Sequence, residues 1–403
     1  MTPPPNPDTP APMHPLIRLQ PKQDRRLKSG HPWAFSNELA TAPEHRAWPL
    51  GGVVRIEGDD GWRHGAFMFN PRSLIAARLL DRDPGASIDA AWVRTRLAEA
   101  VALRARVTPG AHHRLVHAEA DRLPGLIVDR FGDVAVLQAN TAGMDRLLPE
   151  ITAALLDLLP LRVIVARNDS AARVHEGLPQ EVRLLHGDVA DALAEEGGVR
   201  FPIDPLSGQK TGFFWDQRPN RDMVAALAPG GRVLDVFCHT GAFGLRAAAA
   251  GAAAVTLVDS SQPALDRAAD AAARNGLAHV TAARGDAFDV MGALGDAGRQ
   301  YEVVVCDPPA FAKSKRDQDA GLRAYHRMTR LAAPLVAPGG FLFVASCSHH
   351  APLDLFGAQV AAALLRARRD ARIVHTGAAG PDHPVHPHLP ESAYLKSLLL
   401  QLT

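Results

Sequence analysis

The sequence predicts an α/β protein whose C-terminal half is a doubly wound, Rossmann-like sheet, preceded by a small β-barrel-like domain and a small α+β domain. Three observations carry this. Residues 232–261 read RVLDVFCHTGAFGLRAAAAGAAAVTLVDSS, a strand, glycine turn, helix, strand and acid. Residues 301–309, YEVVVCDPP, and 341–348, FLFVASCS, are apolar runs that end on polar or reactive side chains. From residue 199 to the C-terminus, strand-like and helix-like stretches alternate.

Residues 233–237 form a short apolar run with one acid, Asp235, as in a buried parallel strand. Residues 238–244 make a tight turn with two glycines, and 245–250 read as a helix stopped by Gly251. Residues 255–258 give the next strand, closed by Asp259. Glycines let a backbone approach a ligand closely, and an acid in this place can accept hydrogen bonds from ribose hydroxyls. The turn is Thr-Gly-x-x-Gly rather than Gly-x-Gly-x-x-Gly, so alone it fits equally a helix packed on a strand through small residues. The later strand ends favour a site. Asp259, Asp307-Pro308-Pro309 and Cys347 are expected on one edge of the sheet, where open parallel sheets bind ligands.

The bulk numbers narrow the field. A chain of 403 residues with 47% apolar content suits two or three folded domains. A formal net charge of +1 restricts any nucleic-acid surface to a local patch. Three scattered cysteines, Cys238, Cys306 and Cys347, do not make a disulfide framework and fit a reducing, cytoplasmic setting. There is no long uncharged apolar run of the kind a membrane span needs, and no signal-peptide pattern at the N-terminus.

In chain order, residues 1–15 are Pro-rich and read as a disordered tail. Residues 16–82 show short alternating strands between glycines and prolines, the β-barrel-like domain. Within it Lys22, Arg25, Arg26 and Lys28 precede Gly30-His31-Pro32-Trp33. Clustered cations beside an aromatic suit phosphate contact with base stacking, and equally a solvated loop over a buried Trp. Residues 83–190 carry helical periodicity over 88–106 and 147–159, with strands near 114–118, 126–130, 134–139 and 162–167; no catalytic constellation is evident there. Residues 191–403 hold the Rossmann-like domain, entered through Gly208-Gln209-Lys210-Thr211-Gly212-Phe213-Phe214.

Taken together these stretches resemble a family. Gly30-His31-Pro32-Trp33, Glu119-x-Asp121-x-Leu123-Pro124-Gly125-Leu126, Arg167-Asn168-Asp169-Ser170, Gly208 to Phe214, Asp307-Pro308-Pro309-x-Phe311, Ser346-Cys347-Ser348 and His383-Pro384 look like the class I S-adenosylmethionine-dependent methyltransferases of the ribosomal large subunit methyltransferase I type. The resemblance covers nearly everything after the tail, in the same order. It implies an N-terminal PUA domain with an RNA-binding role, a central α+β domain and a C-terminal methyltransferase domain. It also implies S-adenosylmethionine as cofactor, ribosomal RNA as partner, no membrane, and methylation of carbon 5 of a cytosine. Whether two copies pair as a homodimer stays open.

That chemistry needs particular side chains. Carbon 5 of cytosine is a poor nucleophile until a thiolate adds to carbon 6 and makes it enamine-like. A cysteine, a group handling the proton at ring nitrogen 3, and a base are then required. Cys347 is the candidate nucleophile and Asp307 the candidate for the ring nitrogen, with Pro308 and Pro309 stiffening the loop. Ala310 stands where the two-cysteine cytosine methyltransferases place a second cysteine. Cys306 and Cys238 read as structural. Asp235 and Gly241 are expected at the methionine end of the cofactor, Asp259 at the ribose, Asp286 at the adenine amino group, and Lys210, Thr211, Phe213 and Phe214 over it. Asp307 borders cofactor and base alike. Lys313, Lys315 and Arg316 after the Asp-Pro-Pro loop are expected on RNA phosphates. His383, His386 and His388 lie between prolines with no cysteine nearby, which does not suit zinc. Two other readings remain: an amino-group methyltransferase, whose Asp-Pro-Pro loop would position an exocyclic amine without a cysteine, and a non-catalytic RNA-binding protein on a vestigial fold.

Overall fold

The computed structural model describes residues 14–188, 191–208 and 211–403. The expected disordered tail, apart from residues 14 and 15, lies outside the described residues, as does Lys210. Backbone proximity divides the chain into two compact units. The first comprises Met1–Ala192, Asp204–Phe213 and Pro381–Ser392; the second comprises Leu193–Ile203, Phe214–Gly380 and Ala393–Thr403.

The first unit holds two sheets. A six-stranded sheet runs, in spatial order, through Trp33–Ala34, Ala77–Asp81, Arg63–Phe69, Gly52–Glu57, Leu16–Leu19 and Leu39–Ala40. A five-stranded sheet is formed by Glu181–His186, Val163–Asn168, Val134–Ala139, Leu126–Phe131 and His112–His117. The helices Ala90–Val107 and Leu148–Leu158 contribute Val93, Leu97, Ile151 and Leu155 to the core that also takes Val128, Leu137 and Ile164 from this sheet. Within that core Arg104 is fully buried and forks onto Asp121 at 2.5 and 2.7 Å.

The second unit is one seven-stranded sheet with helices. Its spatial order is Val280–Arg284, Ala254–Asp259, Arg232–Val236, Tyr301–Cys306, Val336–Ser346, Lys396–Leu402 and Ala371–Gly377. The first five are mutually parallel, and Lys396–Leu402 alone runs antiparallel to both neighbours. Val233, Leu234, Val303, Val304 and Val305 are wholly buried, the continuous apolar pattern of strands covered on both faces. The helix expected over 245–250 begins earlier, at Ala242–Ala249. Gly241 adopts a left-handed φ of 76° and its carbonyl accepts from Leu245 N–H at 2.8 Å, so the helix starts as soon as the turn closes. The strand expected over 341–348 runs from Val336 to Ser346, which leaves Cys347 as the first residue beyond it.

A charged cluster fastens this helix from behind. Glu196 accepts from Arg221 at 2.6 Å through both oxygens and from Arg246 at 2.8 Å. Arg221 lies on the helix Arg218–Ala226 and Arg246 on Ala242–Ala249. Burial opposes the Glu196 charge, and the arginines outweigh it, holding its carboxyl below the usual range. Removing Glu196 would leave the guanidinium of Arg221, 1% exposed, without its bidentate acid. Glu196→Ala is therefore expected to lower unfolding stability by about 3–5 kcal/mol, measured by urea denaturation. A loss below about 1 kcal/mol would mean the cluster is solvated and not structural.

Candidate active site

Strand order in the second unit reverses between Arg232–Val236 and Tyr301–Cys306, with sequence running outward from that pair to Val280–Arg284 on one side and to Val336–Ser346 on the other. Such a switch point leaves a crevice beyond the carboxyl ends of the strands. Asp235 lies one residue before the end of its strand and is 1% exposed. Its Oδ2 accepts from Gly244 N–H at 2.9 Å, while Oδ1 is buried without a partner. A Cβ on Gly244 would stand 2.4 Å from Leu257 Cδ2, so only glycine lets the helix come this close to the next strand. The turn itself is bent hard: Phe237 and His239 hold φ of 62° and 51°. Left-handed backbone at such residues costs on the order of 1–3 kcal/mol each.

Asp259 closes the next strand. Its carboxylate accepts from His239 N–H at 2.8 Å and from Ser261 N–H at 2.9 Å, one bond to each oxygen. Each oxygen keeps a second lone pair for another donor. Asp286 caps the helix Ala287–Asp296, Oδ1 accepting from Phe288 N–H at 2.9 Å and Asp289 N–H at 3.3 Å. Phe237, Phe288 and Phe311 form a triangle of rings with centroids 6.1–6.2 Å apart. Of these, only Phe311 belongs to a motif evident in the sequence; Phe237 and Phe288 carry no such signal. Each is a lone aromatic just past a strand or at a helix start, and only the three together make an aromatic wall.

Asp307, half-buried, follows the Tyr301–Cys306 strand, and its N–H donates to Val236 O at 3.4 Å. Asp235 thus shares its surroundings with two other acids. Burial first, then the charges of Asp307 and Asp259, push the Asp235 carboxyl up to about 7. The Asp-Pro-Pro loop is tied to the cysteine turn by Ala312 N–H, which donates to Ser348 Oγ at 3.1 Å. Tyr325 stands beneath, with its hydroxyl 2.8 Å from Ser348 Oγ and accepting from Ser346 Oγ at 2.8 Å. Cys347 lies between these two anchored serines and is partly exposed. Cys306 is fully buried and its thiol is pushed well up by burial; Cys238 is 7% exposed and shifted the same way.

The remaining expected residues divide between the two units. Phe213 is 3% exposed and groups with the first unit, where Thr211 also donates to Asp129. Phe214 groups with the second, its ring 5.4 Å from that of His239. In the first unit Lys22 and Arg25 are exposed, whereas Lys28 is shared by Asp24 and Asp60, and Arg26 pairs with Glu38 at 3.2 Å over the ring of Phe35. Trp33 is half-buried and donates its indole N–H to Glu119 at 2.8 Å. Lys313, Lys315 and Arg316 lie on the second unit, Lys313 and Lys315 at its surface and Arg316 beside them. His383 pairs with Asp382 at 2.9 Å in the first.

The donor set at the switch point suits a ligand that is cationic at one end. Three carboxylates converge there, one with an unpartnered buried oxygen, beside an aromatic wall and a backbone stripped to glycine. A sulfonium and ammonium would relieve the repulsion, and a ribose and purine have acceptors and rings to meet. Fold and site together define an S-adenosylmethionine-dependent methyltransferase. A family model described as S-adenosylmethionine-dependent methyltransferase matches residues 163–401, and one described as PUA-like domain matches 17–82. The chain is 37% identical over 396 residues to ribosomal RNA large subunit methyltransferase I of Shewanella amazonensis, covering 96% of this chain and 99% of that one. It is 36% identical to the protein of the same name from Shewanella frigidimarina at the same coverage. Among solved structures, a SAM-dependent methyltransferase from Streptococcus mutans superposes with a TM-score of 0.80 at 20% identity, over 96% of this chain and 100% of that one. SMU.776, a methyltransferase solved with SAH, gives 0.81 at 20% identity with the same coverage. The chain belongs to the ribosomal RNA large subunit methyltransferase I family. No helix among the described residues is long and apolar enough to cross a membrane.

The Asp235 carboxyl titrates in the folded state near 7 and in the unfolded chain near its ordinary value of 3.8. An acid raised by folding favours the folded state while protonated, and that contribution is lost as pH climbs from the unfolded pKa to the folded one. Between about pH 4.5 and 6.5 its share should fall by about 1.4 kcal/mol per pH unit. Denaturant unfolding of wild type against Asp235→Asn checks this: the gap between the two should move against wild type as pH rises. Parallel pH profiles would remove Asp235 as the strained acid.

Proposed function

We propose that this protein methylates carbon 5 of a cytosine in large-subunit ribosomal RNA, with Cys347 as the attacking nucleophile. The relatives' shared name points to the RNA. The observation that carries the nucleophile is the tie between the Asp-Pro-Pro loop and the turn holding Cys347, through Ala312 N–H and Ser348 Oγ. With the parallel pairing of Tyr301–Cys306 and Val336–Ser346, that tie supports a thiol and a carboxylate on adjacent strand ends, the pair a carbon-5 reaction needs. The cofactor, S-adenosylmethionine, supplies an electrophilic methyl group when bound.

In this reading the Cys347 thiolate adds to carbon 6 of the flipped base, and the electron pair moves toward carbon 5. Asp307 meets the ring at nitrogen 3 and holds the proton that offsets the charge developing there. After carbon 5 has taken its methyl group, loss of its proton expels the thiolate and restores the ring. Pro308 and Pro309 fix the loop carbonyls that orient the base. At the cofactor, Asp235 and Gly241 face the methionine end, Asp259 the ribose hydroxyls and Asp286 the adenine amino group, with Phe237, Phe288 and Phe311 against the purine. RNA phosphates meet Lys22 and Arg25 on one unit and Lys313 and Lys315 on the other.

Cys347→Ala is expected to abolish methyl transfer while leaving S-adenosylmethionine affinity within about twofold, measured by calorimetry with a methylation assay alongside. RNA carrying 5-fluorocytosine should be trapped covalently by the wild type in the presence of cofactor, because fluorine cannot leave as a proton does. If Cys347→Ala methylates at near-normal rates, an amino-group methyltransferase replaces this reading. If even the wild type binds no cofactor, the vestigial reading does.

The ion pairs predict unequal roles for the basic loop. Lys22→Ala and Arg25→Ala should each flatten the slope of log affinity against log salt by about 0.7–0.9 for each phosphate that the side chain neutralises. Lys28→Ala, already held by Asp24 and Asp60, should change it less. Filter binding of ribosomal RNA fragments over a salt series checks this, and a uniform effect across the three would show that the acids do not hold Lys28 in the complex.

A further inference from the structure

Lys396 is the one charged residue in KSLLLQL, the strand that otherwise supplies buried leucines to the second unit's sheet. Across the sheet it pairs with Ser346, the residue before Cys347. Its side chain reaches to the other side of the cysteine, where Nζ donates to the carbonyl of Ser348, and it also donates to Tyr394 O at 3.1 Å. The ammonium end is thus held at the turn that carries Cys347. A neutral amine has two N–H groups and one lone pair; two carbonyls occupy the former and leave the latter free to take a proton.

We propose that Lys396 accepts the thiol proton of Cys347 and holds the resulting thiolate beside its ammonium, so that the nucleophile rests as an ion pair. The S–H bond breaks with its electrons left on sulfur, and an N–H bond forms on Nζ. The resulting third N–H points to the thiolate while the carbonyls of Ser348 and Tyr394 keep the other two. This rests on the proposed role of Cys347 and adds what activates it. Half-burial pushes Lys396 down to about 8, with the charge of Cys347 acting in the opposite direction. An ordinary thiol titrates at about 8.5, so with the attraction between the two groups already counted the transfer is close to balanced. Other titratable groups packed at this corner are Tyr325 on the helix Gln318–Ala332, His349 with its ring 5.9 Å from Tyr394, Asp216, which accepts from Tyr394 OH at 2.6 Å, and Asp307 on the adjacent strand end. Tyr325 is spoken for by two serines and its hydroxyl is pushed up by burial, so it does not compete for the proton near neutral pH.

The test is the pH profile of Cys347 alkylation by iodoacetamide, read on the full chain by peptide mass spectrometry and independent of methyl transfer. Wild type should reach half its maximal rate at least one pH unit below a free thiol. Lys396→Gln and Lys396→Met should move that midpoint up by about one unit or more and slow alkylation at pH 7 about tenfold. Lys396→Arg, which keeps the cation, should retain the low midpoint. S-adenosylmethionine affinity certifies folding, and whichever of the two neutral variants retains it decides the comparison. A wild-type midpoint at or above that of a free thiol overturns the proposal without recourse to any variant. So does a folded neutral variant whose profile superimposes on wild type, or an arginine variant that shifts as far as glutamine. These outcomes leave the Cys347→Ala methylation result untouched, so the two readings fail separately.

Discussion

Negative charge gathered at one edge of a sheet governs the second unit. Asp235, Asp259 and Asp307 lie at or just past the ends of neighbouring strands, and burial together with the charges of the other two pushes the most buried of them up. Folding alone does not favour this, since a buried acid with an empty oxygen is a local loss. The rest of the architecture tolerates it. The Gly244 N–H satisfies one oxygen, the turn accepts left-handed backbone at Phe237 and His239, and the Glu196 cluster pins the glycine-turn helix from behind. A positive charge placed beside these carboxylates would offset the loss.

The turn that carries Cys347 is built differently. There, neutral hydrogen bonds do the positioning. Ser346, Ser348 and Tyr325 form a buried network that also takes in the Ala312 amide. Because one hydroxyl, Ser348 Oγ, serves both the loop and the turn, the spacing between the Asp-Pro-Pro loop and Cys347 is set by a single small group. The two proline rings before it remove backbone freedom from the same loop. The two strand-end clusters therefore use opposite means, gathered charge around Asp235 and satisfied polarity around Cys347.

The first unit shows how a motif can be recognisable and still be architectural. Glu119 and Asp121, which help to carry the family resemblance, are taken up by Trp33, Arg78 and Arg104. Asp382, beside His383, receives the Arg114 amide at 3.1 Å, and its carbonyl accepts from Arg104 at 3.0 Å. These ties join segments separated in sequence and take up charged and backbone groups that would otherwise need water. The basic loop is thinned in the same manner, since two of its four cations have acidic partners.

Fold class was legible in the residues alone, and so was the edge of the sheet on which Asp235, Asp259, Asp307 and Cys347 gather. An apolar run holding Asp235 and runs closed by Asp259, Asp307 and Cys347 state strand direction and strand end locally, and the period of the pattern needs no tertiary information. Helix and strand limits shifted by a few residues, because the φ of Gly241 and the serine anchors beyond Ser346 decide where regular structure starts and stops. Which lone residues meet was beyond any local pattern. Phe237, Phe288 and Phe311 are far apart in the chain and form one wall; Tyr325 and Lys396 come to Cys347 from a helix and from an antiparallel strand. Nor could composition tell that Lys28 shares its charge with Asp60, or that Trp33 gives its N–H to Glu119. Periodicity is written in neighbouring residues, whereas pairing across a sheet depends on the register of strands tens of residues apart, and that is settled only when the chain packs.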